Sequence, residues 1–160
     1  MPQGEDMTEI KRISDQFKRA FEKDAWHGPA VMEVLKGVTA QQAGARPIPN
    51  AHSIWEITLH ISGWTGVLKS RVEGKWMDEP VEGDWPAVED TSPAAWEKTL
   101  KLLKTRHTGL QKAIAKLSDK KLDEPIAKGK STFYASLHGI IQHDLYHAGQ
   151  MAVLKKGVQE

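Results

Sequence analysis

Apolar residues recur at intervals of three and four along most of this chain, and those intervals divide it into four helical stretches. Ile10, Ile13, Phe17, Ala20 and Phe21 carry the helical period from about residue 6 to about residue 25. Trp26-His27-Gly28-Pro29 breaks that stretch, and Ala30 to Lys36 forms a shorter helical piece that stops at Gly37. Thr39 to Asn50, which contains Pro47 and Pro49, is predicted as a loop. The second long helix opens at Ser53-Ile54-Trp55-Glu56, where Ser and Glu three apart form a capping box, and runs to about Val72 ahead of Gly74. Residues 75–91, with Pro80, Gly83, Asp84 and Pro86, show no period and make a long connection. The third helix starts at Ser92-Pro93 and continues through Trp96, Leu100, Leu103, His107, Leu110, Ile114 and Leu117. After a charged stretch at 118–130, the fourth begins near Ser131 or Thr132 and ends before Gly157. Period-two alternation is nowhere sustained, so the predicted fold class is all-α, a four-helix bundle in a single domain over residues 1–160. The connection after the second helix is long enough to return along a helix of roughly 30 Å, which allows the second and third helices to be parallel neighbours.

Composition narrows the chemistry. A chain of 160 residues can bury a core without a disulfide or a structural metal, so any metal would serve function. The sequence has no cysteine, which removes disulfides, thiolate metal sites and cysteine nucleophiles and leaves His, Asp and Glu as ligands. The 22 basic and 21 acidic residues are interspersed, so no basic face of the kind that binds nucleic acid is expected. An acidic start without a secretory signal, and no apolar run of membrane-spanning length, predict a soluble cytoplasmic protein with no membrane partner. Six tryptophans against two tyrosines must fill a core, line a pocket or form an interface.

The histidines decide what the bundle can do. His143 and His147 lie four apart, about 40° from each other on one face of the fourth helix, and Ile140, Met151 and Leu154 share that inward stripe. His60 shares an apolar stripe of the second helix with Ile57, Trp64 and Val67. Three imidazoles can therefore converge in the core, where burying them together without a metal or mutual hydrogen bonds would be costly. His138 falls on the opposite side of the fourth helix, and His27 and His52 are read as loop or cap residues. His107 holds a core position and could approach the other three; it is read as a buried histidine satisfied by hydrogen bonds and not as a ligand.

His52-Ser-Ile-Trp-Glu-Ile-Thr-Leu-His60-Ile-Ser-Gly-Trp64 and His143-Asp-Leu-Tyr-His147-Ala-Gly-Gln150, with Trp26-His-Gly-Pro29 before them, resemble the DinB-like (YfiT-like) metal-binding four-helix bundles over nearly the whole chain. The resemblance implies an up-down-down-up bundle with a long crossover between the second and third helices. It implies a divalent metal on His60, His143 and His147 and a homodimer. The family includes thiol-dependent transferases and isomerases that use low-molecular-weight thiols.

Three neutral imidazoles leave coordination positions open, where zinc or nickel would act as a Lewis acid on a bound water or on the sulfur of an external thiol. A hydrolase would also need a base. Glu56, one turn before His60, is the candidate catalytic residue, although its capping-box role with Ser53 accounts for it without catalysis. Trp64 and Gln150 are candidate pocket or cofactor-binding residues, and Asp144 and Tyr146 could orient ring nitrogens or pack at the surface. A second apolar stripe on the fourth helix, Ile141, Leu145, Ala148 and Ala152, must pack on the helix 1 extension or on a second copy. The expected function is that of a metal-dependent enzyme, a thiol transferase or hydrolase, acting on a small molecule. The alternative is a non-catalytic metal or small-ligand binding module in a stress response.

Overall fold

The computed structural model describes residues 7–158 and, among them, six α-helices, one short 3₁₀ turn and no strand. The helices are α1 (Glu9–Phe21), α2 (Val31–Leu35), α3 (Ala40–Gly44), α4 (Ile54–Val72), α5 (Pro93–Ala115) and α6 (Phe133–Val158). The chain is all-α. Predicted caps sit where they were expected. Ser53 accepts from the Glu56 amide while Glu56 accepts from the Ser53 amide, and Ser92 caps α5 with Pro93 in its first turn.

Three boundaries differ from the sequence expectation. The predicted loop at 39–50 contains α3, because Thr39 and Gln42 form a capping box of their own over a helix too short to show a period. The charged stretch at 118–130 winds through a 3₁₀ turn at Asp119–Lys121, and the Asp119 carboxylate accepts from the Glu9 and Ile10 amides at 3.0 Å each, satisfying the open end of α1. The last helix passes through Gly157 instead of stopping before it. A Cβ there would lie 2.8 Å from Pro47 Cβ, so this glycine admits a close approach between α6 and the 45–53 segment.

Packing follows the buried stripes. α4 packs against α5 and α6, and α1 packs against the same two helices. Trp55 on α4 donates to Thr99 on α5 at 3.0 Å, and further along both helices Ser62 meets Arg106 and Gly66 lies beside the same arginine. Thr58 of α4 contacts Met151, while Leu68 and Val72 share a core cluster with Phe133 and Leu137. One core cluster gathers α2, α3, Trp55, Trp96 and the second half of α6; the other gathers α1, the ends of α4 and α5 and the first half of α6. The second apolar stripe of α6 is covered within the chain. Ile141 and Leu145 join the α1 cluster, and Ala148 and Ala152 join the cluster that contains α2. Burial of the aliphatic and aromatic side chains of the two clusters supplies the main folding drive.

The 73–92 connection folds back over α4. Gly63 makes room for it, since a Cβ there would stand 2.9 Å from Pro80. Glu82 is ion-paired with Arg106, and Arg71 donates to the Met77 and Asp78 carbonyls at 2.8 and 2.9 Å. These anchors place Asp84 and Trp85 directly above His60.

Candidate metal centre

His60 points inward from α4, and His143 and His147 point toward it from one face of α6. One nitrogen from each ring lies within 4.8 Å of the others. Nε2 of His60 and Nε2 of His143 are 3.0 Å apart, and the ring centroids of the three residues are separated by 4.5 to 4.9 Å. The spacing legible in the sequence thus brings these three together, and His107 is not among them.

Hydrogen bonds around the rings fix their tautomers. Nδ1 of His60 lies 2.8 Å from the Asp84 carbonyl oxygen and 3.1 Å from Asp84 Oδ1. A carbonyl only accepts, so Nδ1 carries the proton and Nε2 presents a lone pair. Nδ1 of His147 likewise donates to Gln150 Oε1 at 2.6 Å, which leaves its Nε2 as the acceptor. Burial, reinforced by the neighbouring imidazoles His147 and His60, pushes His143 down to about 3, and burial also lowers His147. Both are neutral at pH 7, the form that binds metal. Nδ1 of His143 is buried without a partner.

These observations test the fit to a divalent ion. One nitrogen of each ring lies within 4.8 Å of the others, His60 and His147 each have their second nitrogen tied to an oxygen acceptor, and no thiolate is present. Neutral imidazoles held by outer acceptors suit zinc or nickel. The residues fit.

Several neighbours sit differently from expectation. Both oxygens of Glu56 are engaged, one by the Ser53 amide at 2.7 Å and the other by Arg46. Burial works to raise this carboxyl, but the Ser53 amide and the Arg46 guanidinium outweigh it and hold it below its ordinary range. Trp64 donates to Asp84 Oδ1 at 2.7 Å and meets His60 edge-on. Asp144 orients no ring. It is fully buried, neither of its oxygens has a hydrogen-bond partner, and burial pushes it up to about 8, so it is the neutral acid at pH 7. Tyr146 is exposed, with its ring edge-on to His147. His107 stacks against Phe17 and Phe21 at centroid distances of 4.3 and 3.7 Å; its Nε2 has no hydrogen-bond partner, and burial lowers it to about 4. The expectation of a buried, hydrogen-bonded His107 that is not a ligand is thus met in part: the Phe17 backbone pairs with one ring nitrogen, and aromatic stacking covers the faces.

Asp84, Trp85 and His52 escaped the sequence reading. Trp85 lies flat on His60, 3.9 Å between centroids and 4° between planes, and its other face carries His52 at 3.6 Å and 1°. The available signal was a tryptophan inside an unpatterned connection, where so large an apolar ring must find a surface to cover.

The family model of the DinB superfamily matches residues 25–151, a span that includes all three histidines and the connection above them. The chain belongs to the DinB superfamily. This DinB-superfamily chain is also similar in fold to the crystal structure of a conserved protein from Enterococcus faecalis, with a TM-score of 0.72 at 16% identity over 95% of this chain and 98% of that one. No curated protein matches the sequence. No described helix is long and apolar enough to cross a membrane.

Proposed function

We propose that this DinB-superfamily protein holds a divalent metal, zinc or nickel, on His60, His143 and His147, and that it is a metal-dependent enzyme acting on a small molecule with an external low-molecular-weight thiol. The observation that carries the reading is the convergence of three ring nitrogens, two with tautomers set by the Asp84 carbonyl and Gln150. When bound, the ion would supply Lewis acidity that lowers the pKa of a thiol or water at its open positions. The chain's own residues supply orientation and exclusion. Asp84 and Gln150 hold the rings, Trp85 shields one face of His60 from water, and Ile57, Ile140 and Met151 keep the surroundings apolar. The thiol version is favoured over a hydrolase by the state of Glu56, whose oxygens are committed to Ser53 and Arg46, away from any role as base.

The same reading includes an up-down-down-up bundle of α1, α4, α5 and α6 with the 73–92 connection as its crossover. It is supported by the Trp55–Thr99 and Ser62–Arg106 pairs, which advance together along α4 and α5.

Metal analysis of tag-free protein tests the centre. About one equivalent of zinc or nickel is expected in the wild type and less than about a tenth in His60→Ala and His143→Ala, because two imidazoles hold such an ion far more weakly than three. Full occupancy in either variant sinks the triad, and an empty wild type after refolding with excess zinc sinks the metal.

A further inference from the structure

A groove of about 280 Å³ opens beside the centre, with His143 among its lining residues. Trp64, Leu68, Ile140 and Gly139 give it apolar walls, and Ser131, Ser136 and Arg71 supply its polar groups. Arg71 is held unusually firmly. Its Nε and one Nη donate to the Met77 and Asp78 carbonyls, and its guanidinium lies over the rings of Trp76 at 4.3 Å and Trp64 at 5.7 Å. Carbonyls and aromatic faces orient a guanidinium without neutralising it, and among the described residues no carboxylate lies within ion-pair distance of Arg71. Lys130 adds a second cation on Trp76, 4.7 Å from the ring centroid. The charge of Asp78 reaches Arg71 without forming an ion pair, and its Oδ1 accepts from Trp76 Nε1.

We infer that this groove is the acid-recognition arm of the site: it takes a small carboxylic acid, with the carboxylate at Arg71 and the Ser131 and Ser136 hydroxyls and the reacting end at His143. The inference rests on the metal reading for its orientation, whereas the recognition of the acid rests on Arg71 and the groove alone. A carboxylate matches the edge of a guanidinium, and the apolar walls suit a hydrocarbon body; phosphate, more strongly hydrated, would gain nothing from Trp64, Leu68 and Ile140. At this volume the ligand is small, since drug-sized sites begin at about 300 Å³.

The test is calorimetric titration of the zinc-loaded full-length protein with benzoate and with its neutral counterpart benzamide. Benzoate is expected to bind at least about tenfold more tightly. Gly139→Leu fills the groove cleanly, because a Cβ there meets no atom within 4 Å and leucine favours a helix over glycine. That variant should weaken benzoate at least about tenfold while keeping its zinc and its thermal midpoint, and Arg71→Gln should do the same to benzoate even if the 75–80 segment loosens. Equal binding of benzoate and benzamide overturns the inference, as does unchanged benzoate binding in both variants. So does an affinity that depends on zinc and not on Arg71, which would put the carboxylate on the metal. If the chain holds no zinc yet binds benzoate in a manner that Gly139→Leu abolishes, the groove stands and the metal reading falls. If zinc is held and benzoate shows no preference, the reverse holds.

Discussion

The centre depends on which nitrogen of each imidazole carries its proton, and two side groups decide that. Gln150 fixes the His147 tautomer through a 2.6 Å hydrogen bond. Replacing it with alanine should lower zinc affinity about 10- to 100-fold without unfolding the chain, while Gln150→Glu, which keeps an acceptor, should stay closer to wild type. Competition against a chromophoric chelator measures both; equal affinities in all three proteins would deny Gln150 any orienting role. His60, His143, His147 and Gln150 were legible in sequence because all lie on helices, where a spacing of three or four fixes a common face before any tertiary contact is known. Asp84, Trp85 and His52 were not. Their positions follow from how a connection folds back over α4, which depends on Gly63 admitting Pro80 and on Arg71 reaching two carbonyls, and no local period encodes that.

Each helix end solves its open amides or carbonyls in its own way, and the solutions differ in how far along the chain their partners lie. α3, α4 and α5 use caps from their own first turn, so Ser53 and Ser92 announced α4 and α5 in the sequence. α1 adds to its own Thr8 cap the Asp119 carboxylate, roughly a hundred residues away, and the end of α2 is capped by Lys155 of α6, which donates to the Val34 and Lys36 carbonyls at 2.8 Å. These long-range caps could not be read locally. Asp119→Ala should therefore cost about 1 kcal/mol in urea unfolding, of the order of losing a local cap, and should do so with metal binding intact. A change below the resolution of the urea midpoint would mean that water replaces the carboxylate at no cost. The difference at Gly157 has a related origin. A glycine near a predicted helix end reads as a stop, but here its missing side chain serves the contact with Pro47 and the helix continues.

Across the whole molecule, buried ionisable groups pull stability in opposite directions with pH. His107 is lowered from 6.5 to about 4, so as pH falls the unfolded chain takes up that proton first. Its contribution is complete above the unfolded value and is lost as pH falls through the window down to the folded one. His143, lowered to about 3, acts in the same sense. Asp144, raised from 3.8 to about 8, acts in the opposite sense: the folded chain keeps a proton that the unfolded chain has shed, and this contribution fades as pH rises through that interval. Between about pH 7 and about pH 4.5, His107→Leu should lose roughly 2–3 kcal/mol less stability than the wild type, a difference that urea midpoints at the two pH values report directly. Parallel losses would show that His107 takes up its proton without unfolding. All-α architecture, the three converging histidines and the core position of His107 were legible from periodicity; the stacking of His107 on Phe17 and Phe21 and the unpartnered carboxyl of Asp144 were not, because each is a polar residue on an apolar stripe whose neighbours are set only by packing. The stack of His52, Trp85 and His60 has one more consequence. An indole lying flat on an imidazole of the centre is quenched more strongly once that ring gains positive charge, so Trp85 should act as a built-in optical reporter of what His60 holds, without any added dye.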